Sequence, residues 1–330
     1  VREGKLMAAV DVSPAAAPRA AMGMERHHRV IFVALLALGL VAPFVLYPVF
    51  LMKVLCFALF ACAFNLLLGF GGLLSFGHAA YFGSASYVAA HAAKIWGLTP
   101  ELAILCGALT AAGLGLVIGG LAIRRAGIYF AMITLAFAQM VFFFSLQAPF
   151  TGGEDGIQAV PRGDLFGLLS LRSDFTLYYV VLAIVFAGLL LIYRVIHSPF
   201  GQVLKAIRDN EPRAISLGYR VNRYKLAVFV LSAALSGVAG ATKAIVFQLA
   251  SLTDVYWTMS GEVVLMTLLG GMGTVFGPIV GAAIIITMQN YLATFGAWVT
   301  IIQGVIFVVA VMLFREGIVG VLAKRLGKRL

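Results

Sequence analysis

Charge is what this sequence has least of. Of its 330 residues, 11% are Asp, Glu, Lys or Arg, against about a quarter in soluble domains. That shortage excludes an ordinary soluble fold. Cysteine is scarce as well. Cys56, Cys62 and Cys106 are odd in number, lie inside apolar runs and form no CxxC pair. They exclude a disulfide framework or a thiolate metal site and read as small buried apolar residues. HExxH and GxSxG are absent, as is any pair of carboxylates within an apolar run. No Walker A loop exists: Gly4-Lys5 and Gly327-Lys328 lack the following Ser or Thr and the upstream glycine. Two glycine-rich segments also miss the dinucleotide pattern. After Gly69 and Gly71 the last position is Leu74, after Gly271 and Gly273 it is Phe276, and no strand precedes either. The chain is therefore expected to be no enzyme, with no cofactor and no metal of its own.

The net charge is +11, yet no aromatic and basic residues interleave for base stacking. Nucleic acid is excluded as a partner on that ground. The basic residues sit in loops between apolar runs, as the positive-inside rule expects.

What the sequence has in abundance is apolar residues, 62% of the chain, with a mean hydropathy of +1.03. They form runs of about 20 residues, the length of a membrane crossing, without the alternation of a barrel strand. The expected fold is an all-α integral membrane protein, a polytopic helical bundle. Runs fall near 30–47, 50–68, 73–93, 102–123, 127–147, 175–194 and 226–249, and a region broken by Gly and Pro spans 257–314. "ERHHRV" and the apolar stretch after it resemble a signal peptide without a small-residue cleavage site, and predict an uncleaved first helix.

Charge sets the parity. Segment 148–174 carries Glu154, Asp155, Asp164 and Asp174 against two arginines, a net of −2. Segment 194–225 carries seven Lys or Arg against Asp209 and Glu211, a net of +5. The first is expected outside and the second inside, with Arg26 and Arg29, Arg124 and Arg125, and the basic C-terminus. Six crossings precede Arg194 and an even number follows Lys225. Three crossings in 257–314 give ten in all; one gives eight, the alternative. Residues 1–29 read as a disordered cytoplasmic tail, 30–314 as the membrane domain and 315–330 as a basic cytoplasmic tail.

The glycine-rich segments "GFGGLLSFGHAAYFGS" (69–84) and "GGMGTVFGPIVGA" (270–282) share G-x-x-x-x-F-G, Gly71 to Gly77 and Gly271 to Gly277. Paired interruptions in two halves point to a two-fold internal repeat around a transport pathway. Gly273, Gly277 and Gly281 form GxxxGxxxG, and Ser232, Ser236 and Gly240 a second small stripe; both predict close helix packing. Intramembrane polar residues carry functional suspicion: Asn65, His78, Thr134, Gln139, Lys243 and Glu262. Asn65, Ser75, His78 and Thr274 are the candidate pathway residues. The plainer reading of His78 is a hydrogen bond to a neighbouring helix. Lys243 is expected to snorkel to the interface, with pairing to Glu262 as the alternative.

"HSPFGQVLKAIRDNEPRAISLG" predicts two short helices in the basic loop. Ser198 caps the first, with Pro199 at its first position. Asn210 caps the second, which holds Glu211 and Pro212 in its first turn and stops at Gly218.

At these residues the chain resembles permeases of ABC importers of the branched-chain amino acid family, LivM type. The resemblance covers about 50–320. It rests on "NLLLGFGGLLSFGHAAYFGSASYVAA", "RRAGIYFAMITLAFAQ", "TGGEDGI", "SPFGQVLKAIRDNEPRAISLGYRVNRYKLAVFVLSAALSGVAG" and "LLGGMGTVFGPIVGA". It implies a bacterial inner-membrane subunit with both termini cytoplasmic, importing leucine, isoleucine, valine or related amino acids. It also implies partners: a LivH-type second permease, two ATPase subunits that bind ATP and Mg, and a periplasmic substrate-binding protein. The loop within 195–225 would dock on an ATPase through Arg208, Glu211, Arg213, Ala214 and Gly218. Of the E-A-A-x-x-x-G pattern of such loops, Ala214 and Gly218 match. Same-family importers of urea, amides or aromatic acids are the near alternative, a secondary transporter the distant one.

Overall fold

The computed structural model describes residues 17–167, 169–296, 298–313 and 317–325. Thirteen α-helices make up most of these residues. They are α1 (Ala17–Val41), α2 (Pro48–Asn65), α3 (His78–Lys94), α4 (Pro100–Ala122), α5 (Ile128–Gln147), α6 (Asp174–Ile196), α7 (Pro199–Asp209), α8 (Glu211–Ser216), α9 (Val221–Phe247), α10 (Trp257–Gly270), α11 (Gly277–Leu292), α12 (Trp298–Leu313) and α13 (Gly317–Arg325). Proline opens α2, α4, α7 and α11 within the first two positions, where its missing N–H costs nothing. A wide turn, Leu66–Phe70, prolongs α2.

Helices α2 and α9 form the centre. Helix α2 packs against α6, α9, α10 and α11, and α9 against α3 and α4. Small residues set these distances: a Cβ on Gly240 of α9 would run into the Phe82 carbonyl of α3. Ser232 and Ser236 of the same stripe are fully buried. Helices α4 and α5 instead expose Leu105, Leu109, Val117, Met132, Met140 and Phe144, a surface suited to lipid.

The bundle has an acidic end and a basic end. At the acidic end, β1 (Ile157–Gln158) pairs antiparallel with β4 (Leu249–Ala250), and β2 (Asp164–Leu165) with β3 (Leu169–Ser170). There Arg162 bridges Asp174 at 2.6 Å and donates to the Val246 carbonyl, Lys94 donates to the Gln158 carbonyl, and Tyr178 donates to the Gly39 carbonyl. The ends of α1, α3 and α9 and the start of α6 therefore meet there. At the basic end the His28 ring lies 5.6 Å from Tyr193 and 6.0 Å from Phe276. Gly317 at the start of α13 abuts Gly271 between α10 and α11. Helices α1 and α6 thus run from one end to the other.

Five of the described helices are long and apolar enough to cross a membrane by length and composition, and shorter apolar helices stand beside them. With 14 and 16 residues, α10 and α11 reach about 21 and 24 Å, short of a hydrocarbon core of about 30 Å. Ten full-length crossings are therefore not what the helix lengths give. Helix α1 begins inside the segment read as a disordered tail; residues 1–16 lie outside the described residues. Of the C-terminal tail, 317–325 form α13, packed on α10 and α11.

Candidate functional site

The basic end brings together the polar loop and both glycine-rich segments. Ser198 accepts from the Gly201 amide at 3.3 Å and Asn210 from the Arg213 amide at 3.0 Å. Both caps stand where the sequence predicts them. Gly218 stops α8 at φ +87°, the left-handed region that glycine enters without strain. Ala214 is buried with Ile207 and Val221, so this short helix is held against α7 and α9. Glu211 bridges the mostly buried Lys225 at 2.7 Å. Arg213, Ile215, Leu217 and Tyr219 remain exposed.

Arg208 does not stand free for a partner, as its place in the loop suggests. Its guanidinium donates to the Gly69 carbonyl at 2.5 Å, while Nε and the other terminal nitrogen hold Asp209. One turn earlier, Lys205 lies over the Phe70 ring. Burial first, and then the Arg208 charge, lower its pKa from the ordinary lysine range. Gly69 meets the second glycine-rich segment directly: a Cβ there would strike Gly273. Beside it, Asn65 accepts from the Gly273 amide at 3.0 Å and donates to the Thr274 carbonyl at 2.8 Å. A continuous polar route therefore runs from α7 through the Gly69 turn and the end of α2 to the turn before α11.

The two turns are built alike. Ser75 accepts from the Gly77 amide and Thr274 from the Gly277 amide, each at 3.1 Å. In both, a hydroxyl holds the last glycine of G-x-x-x-x-F-G at a helix start, from the fifth position of the motif for Ser75 and the fourth for Thr274. Gly273 lies in the turn at φ +77°. The helical part of the GxxxGxxxG stripe is therefore Gly277 and Gly281 alone, and both press on α10: a Cβ at Gly281 would strike the Met266 carbonyl.

Of the candidate pathway residues, Asn65 and Thr274 touch, and Ser75 serves its own turn. His78 stands apart. Its Nε2 pairs with Ser232 Oγ at 2.9 Å, and Ser232 donates to the Ala63 carbonyl, the plainer reading of this histidine. Lys243 neither snorkels nor pairs with Glu262. It bridges the buried Asp254 at 2.6 Å, because the turn after α9 folds that carboxylate back one helical turn. Sequence reading missed Lys205 and Lys225, and it singled out the segment of Gly69 without the contact that Gly69 makes. Lys225 alone had a signal, a cation at the start of a long apolar run.

The family described as "Branched-chain amino acid transport system / permease component" matches residues 48–311, which include both turns and the loop. The chain belongs to that family. It is 29% identical over 233 residues to "High-affinity branched-chain amino acid transport system permease protein LivM" of Salmonella typhimurium, and equally to that of Escherichia coli; the match covers 64% of this chain and 55% of theirs. "Ribose import permease protein RbsC" of Bacillus subtilis is 28% identical over 173 residues, 50% of this chain and 51% of its own. The chain thus spans about half the length of the curated relatives it matches. The structure titled "PsaBC from Streptococcus pneumoniae in complex with Fab" covers 83% of this chain and 95% of its own at 17% identity and a TM-score of 0.43.

Proposed function

We propose that this chain is the permease subunit of an ABC importer that carries branched-chain amino acids into the cytoplasm. The basic end faces the cytoplasm of a bacterial inner membrane. A LivH-type permease completes the pathway, a periplasmic protein delivers the solute, and two separate ATPase subunits bind ATP and Mg. The observation that carries the reading is α8. It is capped at both ends and anchored by Ala214, and with the turn that follows it presents Arg213, Ile215, Leu217 and Tyr219 outward at the basic end. Exposed apolar side chains on a small rigid helix suit a partner surface. Arg213 can add a charge-assisted bond to an acidic group there. Movement of α7 and α8 would reach α2 and α11 through Arg208, Gly69 and Asn65. Family membership supports transport, and the LivM relatives favour a branched-chain solute, while RbsC is a reminder that relatives include a sugar permease.

Cysteines placed singly from 208 to 220 test the docking by cross-linking to the ATPase chains. Positions 213, 215 and 217 are expected to react and the buried 214 to stay silent. Cross-links from 148–174 in their place would invert the topology and reject the reading. A secondary transporter would need an ion-coupling carboxylate near the bilayer centre. Glu262, the candidate among membrane residues, lies in the second turn of α10, which disfavours that alternative.

A further inference from the structure

Near the acidic end, the helices surrounding α2 carry charge at one level inside the bundle. Lys53 lies five residues into α2, and Glu262 five residues into α10. Gln289 lies three residues before the end of α11 and Lys243 four before the end of α9. At 1.5 Å per residue these depths are about 5–8 Å. The charges are not used alike. Lys243 is consumed by its bridge to the buried Asp254. Lys53 lies within electrostatic reach of Glu262 and of Lys243, yet among the described residues it forms no direct ion pair with Glu262. Gln289 of α11 lies within electrostatic reach of Glu262, and α10 packs on α11. Lys53, Glu262 and Gln289 are all half-buried. Each charge also shares its helix face with an apolar neighbour three residues before it: Phe50 with Lys53, and Met259 with Glu262, both half-buried.

Charges within a membrane face a water-filled path or a polar partner rather than lipid. One unpaired cation opposite one carboxylate, beside an amide and apolar side chains, is complementary to a zwitterion with an apolar side chain. We propose that Lys53, Glu262 and Gln289 form an outward-facing subsite for the α-amino acid group of the transported solute. Lys53 receives the carboxylate, Glu262 the ammonium, and Phe50 and Met259 the side chain. The assignment rests on the reading of the chain as an amino-acid permease.

The test uses the complete transporter purified with its partner subunits, reconstituted in vesicles, with ATP-driven uptake of labelled leucine as the readout. Lys53→Met and Glu262→Gln are each expected to lower uptake about tenfold, the loss of one charge-assisted contact. Complex yield should stay the same, and Lys53→Arg and Glu262→Asp should recover part of the rate. Gln289→Cys should react with a water-soluble thiosulfonate from the acidic end, and leucine should slow that reaction. Unchanged uptake in both neutral variants, loss of complex yield instead of uptake, or an inert Cys at 289 would each overturn the subsite. If the unaltered complex carries no amino acid, the functional reading falls and the subsite with it, an outcome separate from normal leucine uptake by the variants.

Discussion

Asn65 spends both ends of its amide on one turn. Replacing it by Leu keeps the approximate volume but leaves the Gly273 amide and the Thr274 carbonyl unpaired in a half-buried junction. Each such orphan costs about 1–3 kcal/mol. Asn65→Leu should therefore lower the thermal midpoint of the purified protein; an unchanged midpoint would mean that the turns are held some other way. Gly218 makes the opposite case. Nothing lies within 4 Å of a Cβ placed there, but φ is +87°, so backbone strain rather than crowding decides the outcome. Gly218→Val should cost about 1–2 kcal/mol in local order and weaken cross-linking of α8 to its partner. Gly218→Asn, which tolerates that region, should do so less. Equal cross-linking by the two variants would remove the conformational argument. The cap residues of this loop were readable from sequence because a cap depends on neighbours three residues away. The grip of Arg208 on Gly69 was not, because 139 residues separate them.

Among the elements, α10 and α11 show how far spacing carries. GxxxG predicted close backbones, and α11 does press Gly277 and Gly281 onto α10. The helix begins only at Gly277, so Gly273 serves the turn instead, a distinction that residue spacing does not contain. Gly281→Leu should abolish folded yield, since the new side chain meets the Met266 backbone, and Gly277→Leu should do so too, since it meets the Thr274 hydroxyl and then the Gly271 and Gly270 carbonyls. Gly261→Ala on α10, where nothing lies within 4 Å, should be neutral or gain about 0.5–1 kcal/mol from helix propensity. Normal yield of the leucine variants in detergent extracts would show the stripe facing lipid. The partner of Lys243 also escaped sequence reading. Asp254 sits in a loop by hydropathy, and only the fold of that loop returns it to α9.

At the scale of the molecule, alternating charge between apolar runs was enough to place the loops at two ends, because the field across a membrane sorts basic segments regardless of packing. Helix length was less legible. Glycine-rich turns break the apolar region 257–314 and leave α10 and α11 with 14 and 16 residues, lengths that hydropathy alone does not give. The central claim is that this bundle moves amino acids inward under the drive of separate ATPases. It is tested most directly by uptake of labelled leucine, isoleucine and valine in cells from which the chain has been deleted and then restored. The account predicts loss of uptake of at least one of the three on deletion, and recovery with the unaltered chain. Uptake of all three unchanged by deletion would contradict it.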